Sequence, residues 1–115
     1  MGQTKPKATV KTTAKDTNSI RYRLYPTQNV WNFIKLDTRT GLMWQVQYSL
    51  DRGGRMTVDL NSDTLVSNDK QVDGRFTLVP TQNISNFILL DQIDGKTWQV
   101  QWAIDSKNRL VIEIE

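Results

Sequence analysis

The sequence contains no cysteine and no histidine. Without cysteine there is no disulfide, no thiolate nucleophile and no sulfur-bound zinc. Without histidine the commonest general base and the commonest transition-metal ligand are gone. Proline and glycine are scarce, at three and six of 115 residues. No run approaches the ~18–20 apolar residues of a membrane-spanning helix. Residues 1–19 have no apolar signal-peptide core, which fits a cytosolic chain or an exported one whose signal is gone. There is no Gly-rich phosphate loop, no GxSxG elbow and no nucleophile–base–orienter set. These absences point away from enzymes, and no cofactor is expected.

The net charge of +3 is confined to one end. Lys5, Lys7, Lys11 and Lys15 face only Asp16 in residues 1–19, leaving eleven basic and eleven acidic residues from Ile20 onward. The tail is poor in apolar residues and reads as a disordered basic arm. Nucleic acid is expected only through that arm.

What is present is a repeat. Arg21–Asn61 aligns with Arg75–Glu115 at a constant offset of 54, with 18 of 41 positions identical. Both copies carry Pro-Thr-Gln-Asn (Pro26–Asn29, Pro80–Asn83) and Asn-Phe-Ile (Asn32–Ile34, Asn86–Ile88). Both continue with Leu-Asp, Gly41 or Gly95, and Trp-Gln-Val-Gln (Trp44–Gln47, Trp98–Gln101). The chain therefore divides into a tail (1–19), repeat one (20–61), a polar linker (62–74) and repeat two (75–115).

Each repeat reads as strands. Trp44, Val46, Tyr48 and Leu50 alternate with Gln45, Gln47 and Ser49, and Trp98, Val100, Trp102 and Ile104 do the same. Period two sends the large groups to one face and the glutamines to the other. Tyr22 and Leu24, with Phe76 and Leu78, are expected inward on the first strands. Met56, Val58 and Leu60 match Leu110, Ile112 and Ile114 on the last. The segment at Asn32–Asp37 is apolar on both faces, which suits a covered strand, with a short buried helix at Val30–Ile34 as the alternative. Asp37–Gly41 and Asp91–Gly95 are hairpin turns that need glycine at positive φ, and Asp51–Arg55 and Asp105–Arg109 are read likewise through Gly54 and Asn108.

The expected fold is all-β: two tandem four-stranded antiparallel meanders packed into one barrel-like or sandwich-like domain. The alternative is a pair of propeller-like blades completed by oligomerisation. One repeat alone is at the ~40-residue limit of independent stability, so the two must pack together or on other chains.

The pattern from Pro26 to Tyr48 and from Pro80 to Trp102 resembles a family of small bacterial tandem-repeat proteins of unknown function. That likeness implies no activity, cofactor or site.

Several groups carry candidate chemistry. Asp37, Asp91, Asp51 and Asp105 sit at turn starts, where accepting backbone N–H bonds outweighs acid–base or calcium chemistry. Arg21 and Arg75, with Arg55 and Arg109, are duplicated cations expected to pair with carboxylates across strands. Trp44, Trp98 and Trp102 are expected in the core. Trp31 aligns with Ser85, so the repeat does not need a ring there, and it is the candidate exposed platform. The candidate ligand-binding residues are Thr27, Gln28, Asn29, Trp31 and Asn32, with Thr81, Gln82, Asn83 and Asn86. Amides read hydrogen-bonding patterns without charge. The leading functional expectation is a non-enzymatic module that captures a small polar ligand, saccharide or nucleotide-type, at two quasi-equivalent sites. The competing expectations are a protein–protein adaptor or inhibitor acting through a strand edge and Trp31, and a structural subunit of a homo-oligomer.

Overall fold

A computed structural model describes residues 20–115; the basic arm expected at 1–19 lies outside them. The protein is all-β, and its two repeats form two separate four-stranded sheets packed as a sandwich, not a closed barrel. The first holds β1 (Tyr22–Pro26), β2 (Asn32–Asp37), β3 (Met43–Gln47) and β4 (Met56–Asn61). The second holds β5 (Phe76–Pro80), β6 (Asn86–Asp91), β7 (Thr97–Gln101) and β8 (Leu110–Ile114). Both are antiparallel meanders in sequence order. Asn32–Asp37 is a strand, so the short helix is excluded.

The hairpins behave as the turn chemistry requires. Gly41 and Gly95 have φ of 85° and 81°. Asp37 Oδ1 accepts the Arg39 N–H at 3.0 Å, and Asp91 Oδ1 accepts those of Ile93 and Asp94 at 2.9 and 3.1 Å. The β3–β4 and β7–β8 connections differ from expectation. Each is a single 3-10 turn, Arg52–Gly54 and Ser106–Asn108, and Gly54 is not among the positive-φ glycines. Glycine is needed at 54 for space: an added Cβ would lie 2.6 Å from Ser49 Cβ.

Register defines the faces. In the first sheet Ile34 opposes Gln45 and Leu36 opposes Met43, so these share one face with Tyr25 and Val58. The other face carries Tyr22, Leu24, Phe33, Trp44, Val46 and Tyr48, with Lys35, Thr57 and Asp59 among them. Both faces of each sheet are therefore apolar: an aliphatic face and an aromatic face.

The core forms where the aliphatic face of sheet one meets the aromatic face of sheet two. Ile34, Leu36 and Met43 pack with Phe76, Leu78, Phe87, Leu89, Trp98, Val100 and Trp102, all buried. The repeats thus stack head to tail, and equal residues have unequal fates. Phe76 and Leu78 are 1% and 3% exposed, whereas their counterparts Tyr22 and Leu24 are 49% and 60% exposed. The inward placement expected for Tyr22, Leu24, Trp44 and Tyr48 is accordingly corrected. Those residues line the outer face, and Trp44 is half-buried beneath Lys35, whose Nζ lies 4.8 Å from the ring centroid. Trp98 and Trp102 are core as expected.

Hydrogen bonds fix the stack. Gln45 is buried, and its amide donates to the Ala103 carbonyl at 2.9 Å and accepts from the Ala103 N–H at 3.2 Å. Phe76 N–H donates to the Thr38 carbonyl at 2.9 Å, and Gly74 N–H to Thr38 Oγ1 at 2.8 Å. Tyr25 OH accepts from the Leu78 N–H at 3.3 Å. The linker is not wholly polar surface, since Leu65 and Val66 pack on the core and Leu65 lies over Gly41.

Arg75 and Asp91 form a buried pair with two hydrogen bonds of 3.1 and 2.9 Å. Burial pushes the Asp91 carboxyl up, but the bonds from Arg75 and the turn N–H groups outweigh it and hold the pKa below the ordinary value. Asp37 is lowered in the same way, with Arg21 as its cation. A carboxylate with a depressed folded pKa stabilises the fold fully above its unfolded value, and that contribution is lost as pH falls through the folded value. Arg75→Leu leaves a buried charge unpaired and is expected to cost about 3 kcal/mol in urea unfolding at pH 7. In the parent protein the urea midpoint should be flat at neutral pH and fall as pH drops below about 5. A parent midpoint unchanged down to pH 3 contradicts this role for the two aspartates.

Candidate functional site

The two Thr-Gln-Asn connections join β1 to β2 and β5 to β6 and lie at the same end of the sandwich. Between them is a cleft of about 210 Å³. Tyr25, Thr27, Gln28, Thr81, Asn83 and Asn86 are among its walls. The structure brings the two loops onto one cleft.

Most of the polar groups there serve the backbone. Thr27 Oγ1 donates to the Asn29 and Asn32 carbonyls at 3.0 and 2.9 Å and accepts the Asn29 N–H at 3.1 Å. Asn29 Oδ1 accepts the Trp31 N–H at 2.9 Å. The second loop repeats this: Thr81 Oγ1 meets Asn83 and Asn86, and Asn83 Oδ1 accepts the Ser85 N–H at 2.9 Å. Such turns close on side-chain oxygens because an irregular segment must still satisfy its N–H groups. Gln28 lines the cleft and takes no part in these bonds. Gln82 is exposed and is not among the walls of that cleft.

Asn32 and Asn86 part company. Asn32 is buried, whereas Asn86 is half-buried, donates to Asn83 Oδ1 and accepts from Gln99 Nε2. The remaining strand glutamines also have structural partners. Gln47 donates to the Gly54 carbonyl and Gln101 to the Asn108 carbonyl, at 2.8 and 2.7 Å. Among the described residues Arg55 and Arg109 do not form the carboxylate pairs expected of them. Their Nε atoms donate to the Ser49 and Ala103 carbonyls at 3.2 and 2.9 Å, tying down the loop beyond β3 or β7. Arg21 and Arg75 do pair with Asp37 and Asp91.

Trp31 is exposed, but it does not stand alone. Its ring packs on Tyr48 at 5.0 Å and 54°, and Tyr48 in turn meets Phe33 at 6.3 Å. A second depression, about 200 Å³, lies beside this row and includes Asn29, Trp31, Asn32 and Ile104. The row continues the aromatic outer face of sheet one toward the loop end. Sequence reasoning found Trp31 and missed the face it belongs to.

Among the described residues no group of His, Cys, Asp or Glu could hold a metal ion, and no helix is long and apolar enough to cross a membrane. No family model, curated protein or solved structure matches the chain.

These bonds separate the duplicated residues by substitution. Asn29→Ala or Asn83→Ala removes a turn acceptor and is expected to lower stability by about 1 kcal/mol in urea unfolding. Gln28→Ala and Gln82→Ala should leave the urea midpoint unchanged. The reverse ranking would show that the turns do not depend on the asparagines.

Proposed function

We propose that the chain is a non-catalytic interaction module that binds protein through the aromatic outer face of its first sheet. The observation that carries this reading is the exposure of Tyr22, Leu24, Trp31 and Tyr48 on one continuous surface. A sheet face turned to water alternates toward polar residues, and contiguous exposed apolar surface marks an interaction site. Aromatic side chains bring large buried area and little conformational entropy to such contacts. The function is thus of the adaptor, inhibitor or subunit kind. The binding element is a sheet face with Trp31 at its end, in place of a strand edge.

Cross-linking in the cells that make the protein tests this. The wild-type chain should be recovered joined to protein. Leu24→Glu should be recovered free, with a folding stability within about 0.5 kcal/mol of wild type because Leu24 is exposed. If the variant keeps the wild-type cross-links, the outer face is not the binding surface.

A second reading is favoured by the cleft between the Thr-Gln-Asn loops. Gln28 and Asn86 at its wall suit a small polar ligand, a saccharide or a nucleotide-type molecule. Equilibrium dialysis against a panel of both classes should then find a ligand whose binding falls at least about tenfold in Gln28→Ala. No binding across the panel removes this reading.

A further inference from the structure

Resting on the interaction reading above, we infer that the partner covering the aromatic face is a second copy of this chain. That copy would dock the aliphatic outer face of its second sheet, so that chains join head to tail into a closed ring.

The argument starts from the interface already present. Within one chain, the aliphatic face of sheet one covers the aromatic face of sheet two. The two faces left outside are the aromatic face of sheet one and the aliphatic face of sheet two. By the repeat, these are the same two surfaces. The outer aromatic face keeps six apolar groups that are core in sheet two: Tyr22 for Phe76, Leu24 for Leu78, Phe33 for Phe87, Trp44 for Trp98, Val46 for Val100 and Tyr48 for Trp102. The outer aliphatic face keeps Ile88 for Ile34, Leu90 for Leu36 and Ile112 for Val58, with Thr97 in place of Met43. Ile112 is 53% exposed, and its neighbours Leu110 and Ile114 are exposed as well.

Two of the polar contacts that fix the internal stack have counterparts; those of Tyr25 OH and Thr38 Oγ1 do not, since Val79 and Gln92 stand there. Gln45 grips the Ala103 backbone; Gln99, which within its own sheet donates to Asn86 Oδ1, is aligned with Gln45, and Ser49 with Ala103. The Thr38 carbonyl accepts from Phe76 N–H; the aligned pair is Gln92 and Tyr22. A second copy placed as sheet one sits on sheet two would bring Gln99 to Ser49 and Gln92 to Tyr22. Lys35, aligned with Leu89, is the charged replacement on the aromatic face. Its amine already lies over Trp44, and its stem adds apolar surface.

An interface between two different faces is heterologous, so repetition gives either a closed ring or an open fibre. Sheets stacked radially close at ~4–8 members, which means about two to four chains. A bare chain would instead leave both apolar faces in water.

Analytical ultracentrifugation of the purified chain tests the inference with two substitutions on opposite outer faces. Leu24→Lys blocks the aromatic face and Ile112→Lys the aliphatic one, each weakening association on the order of 100-fold. Wild type should sediment as a ring of about two to four chains. Each variant alone should be monomeric, with an unchanged far-UV dichroism spectrum and a tryptophan emission shifted to the red as Trp44 loses its cover. An equimolar mixture should form a one-to-one dimer, because each partner supplies the face that the other lacks. Tyr22→Arg and Ile114→Lys are the replacement pair if either first variant fails to fold, and they are read the same way.

Pairing of identical faces would leave one single variant assembled, and that result overturns the head-to-tail joint. A wild-type monomer at the highest soluble concentration overturns self-assembly altogether. In that case cross-links to another protein, lost in Leu24→Glu, would still support the interaction reading, so the two proposals fail separately.

Discussion

The structure depends on one constraint: each four-stranded sheet is apolar on both faces, and two sheets in contact can cover only one face of each. The aliphatic face of sheet one against the aromatic face of sheet two supplies the core, and no cysteine staples it. The other features serve that contact. Gln45 anchors one end through the Ala103 backbone, and Thr38 anchors the other through Gly74 and Phe76. The linker drops Leu65 and Val66 onto the same core. The Arg–Asp pairs hold the hairpin turns in the geometry that lets the strands reach it.

The repeat, the strands and the two Asp-to-Gly hairpins were legible because they rest on local chemistry: alternation, a positive-φ glycine, a turn aspartate. Which face would be buried was not. Trp44 and Trp98 stand in identical Trp-Gln-Val-Gln strands, yet one is half-exposed and the other core. Alternation shows that two faces differ, but a stack of duplicated sheets buries opposite faces of its two members. Gln45 shows the cost of that ambiguity. It reads only as a residue of the glutamine face and is buried, because its amide replaces water with a backbone N–H and carbonyl. Gly54 failed for another reason. Its requirement is space beside Ser49, which pairs residues five apart through a turn and leaves no mark in φ preference.

The candidate site was half legible. The Thr-Gln-Asn loops were recognisable as special because both copies keep them, but a duplicated polar triplet serves a duplicated turn as readily as a duplicated ligand. The hydrogen bonds decide for the threonines and asparagines, which close their own loops. Gln28 stands outside those bonds. The convergence of the two loops on one cleft depends on the stacking of the sheets, which no local pattern encodes.

Differences between the copies show where their surroundings differ. Arg75 is buried because the Lys70 carbonyl and Asp94 close over it, whereas Arg21 in the same pair is half-exposed. Tyr25 is aligned with Val79, and only the tyrosine has a hydroxyl to reach across the internal stack to the Leu78 N–H. Polar residues, by contrast, sit on the edge strands: Thr57 and Asp59 on β4 and Glu113 on β8. Charged edges discourage strand addition. Thr57 and Asp59 oppose Val46 and Trp44, so they also line the β4 side of the outer aromatic face, with Lys35 beside Trp44.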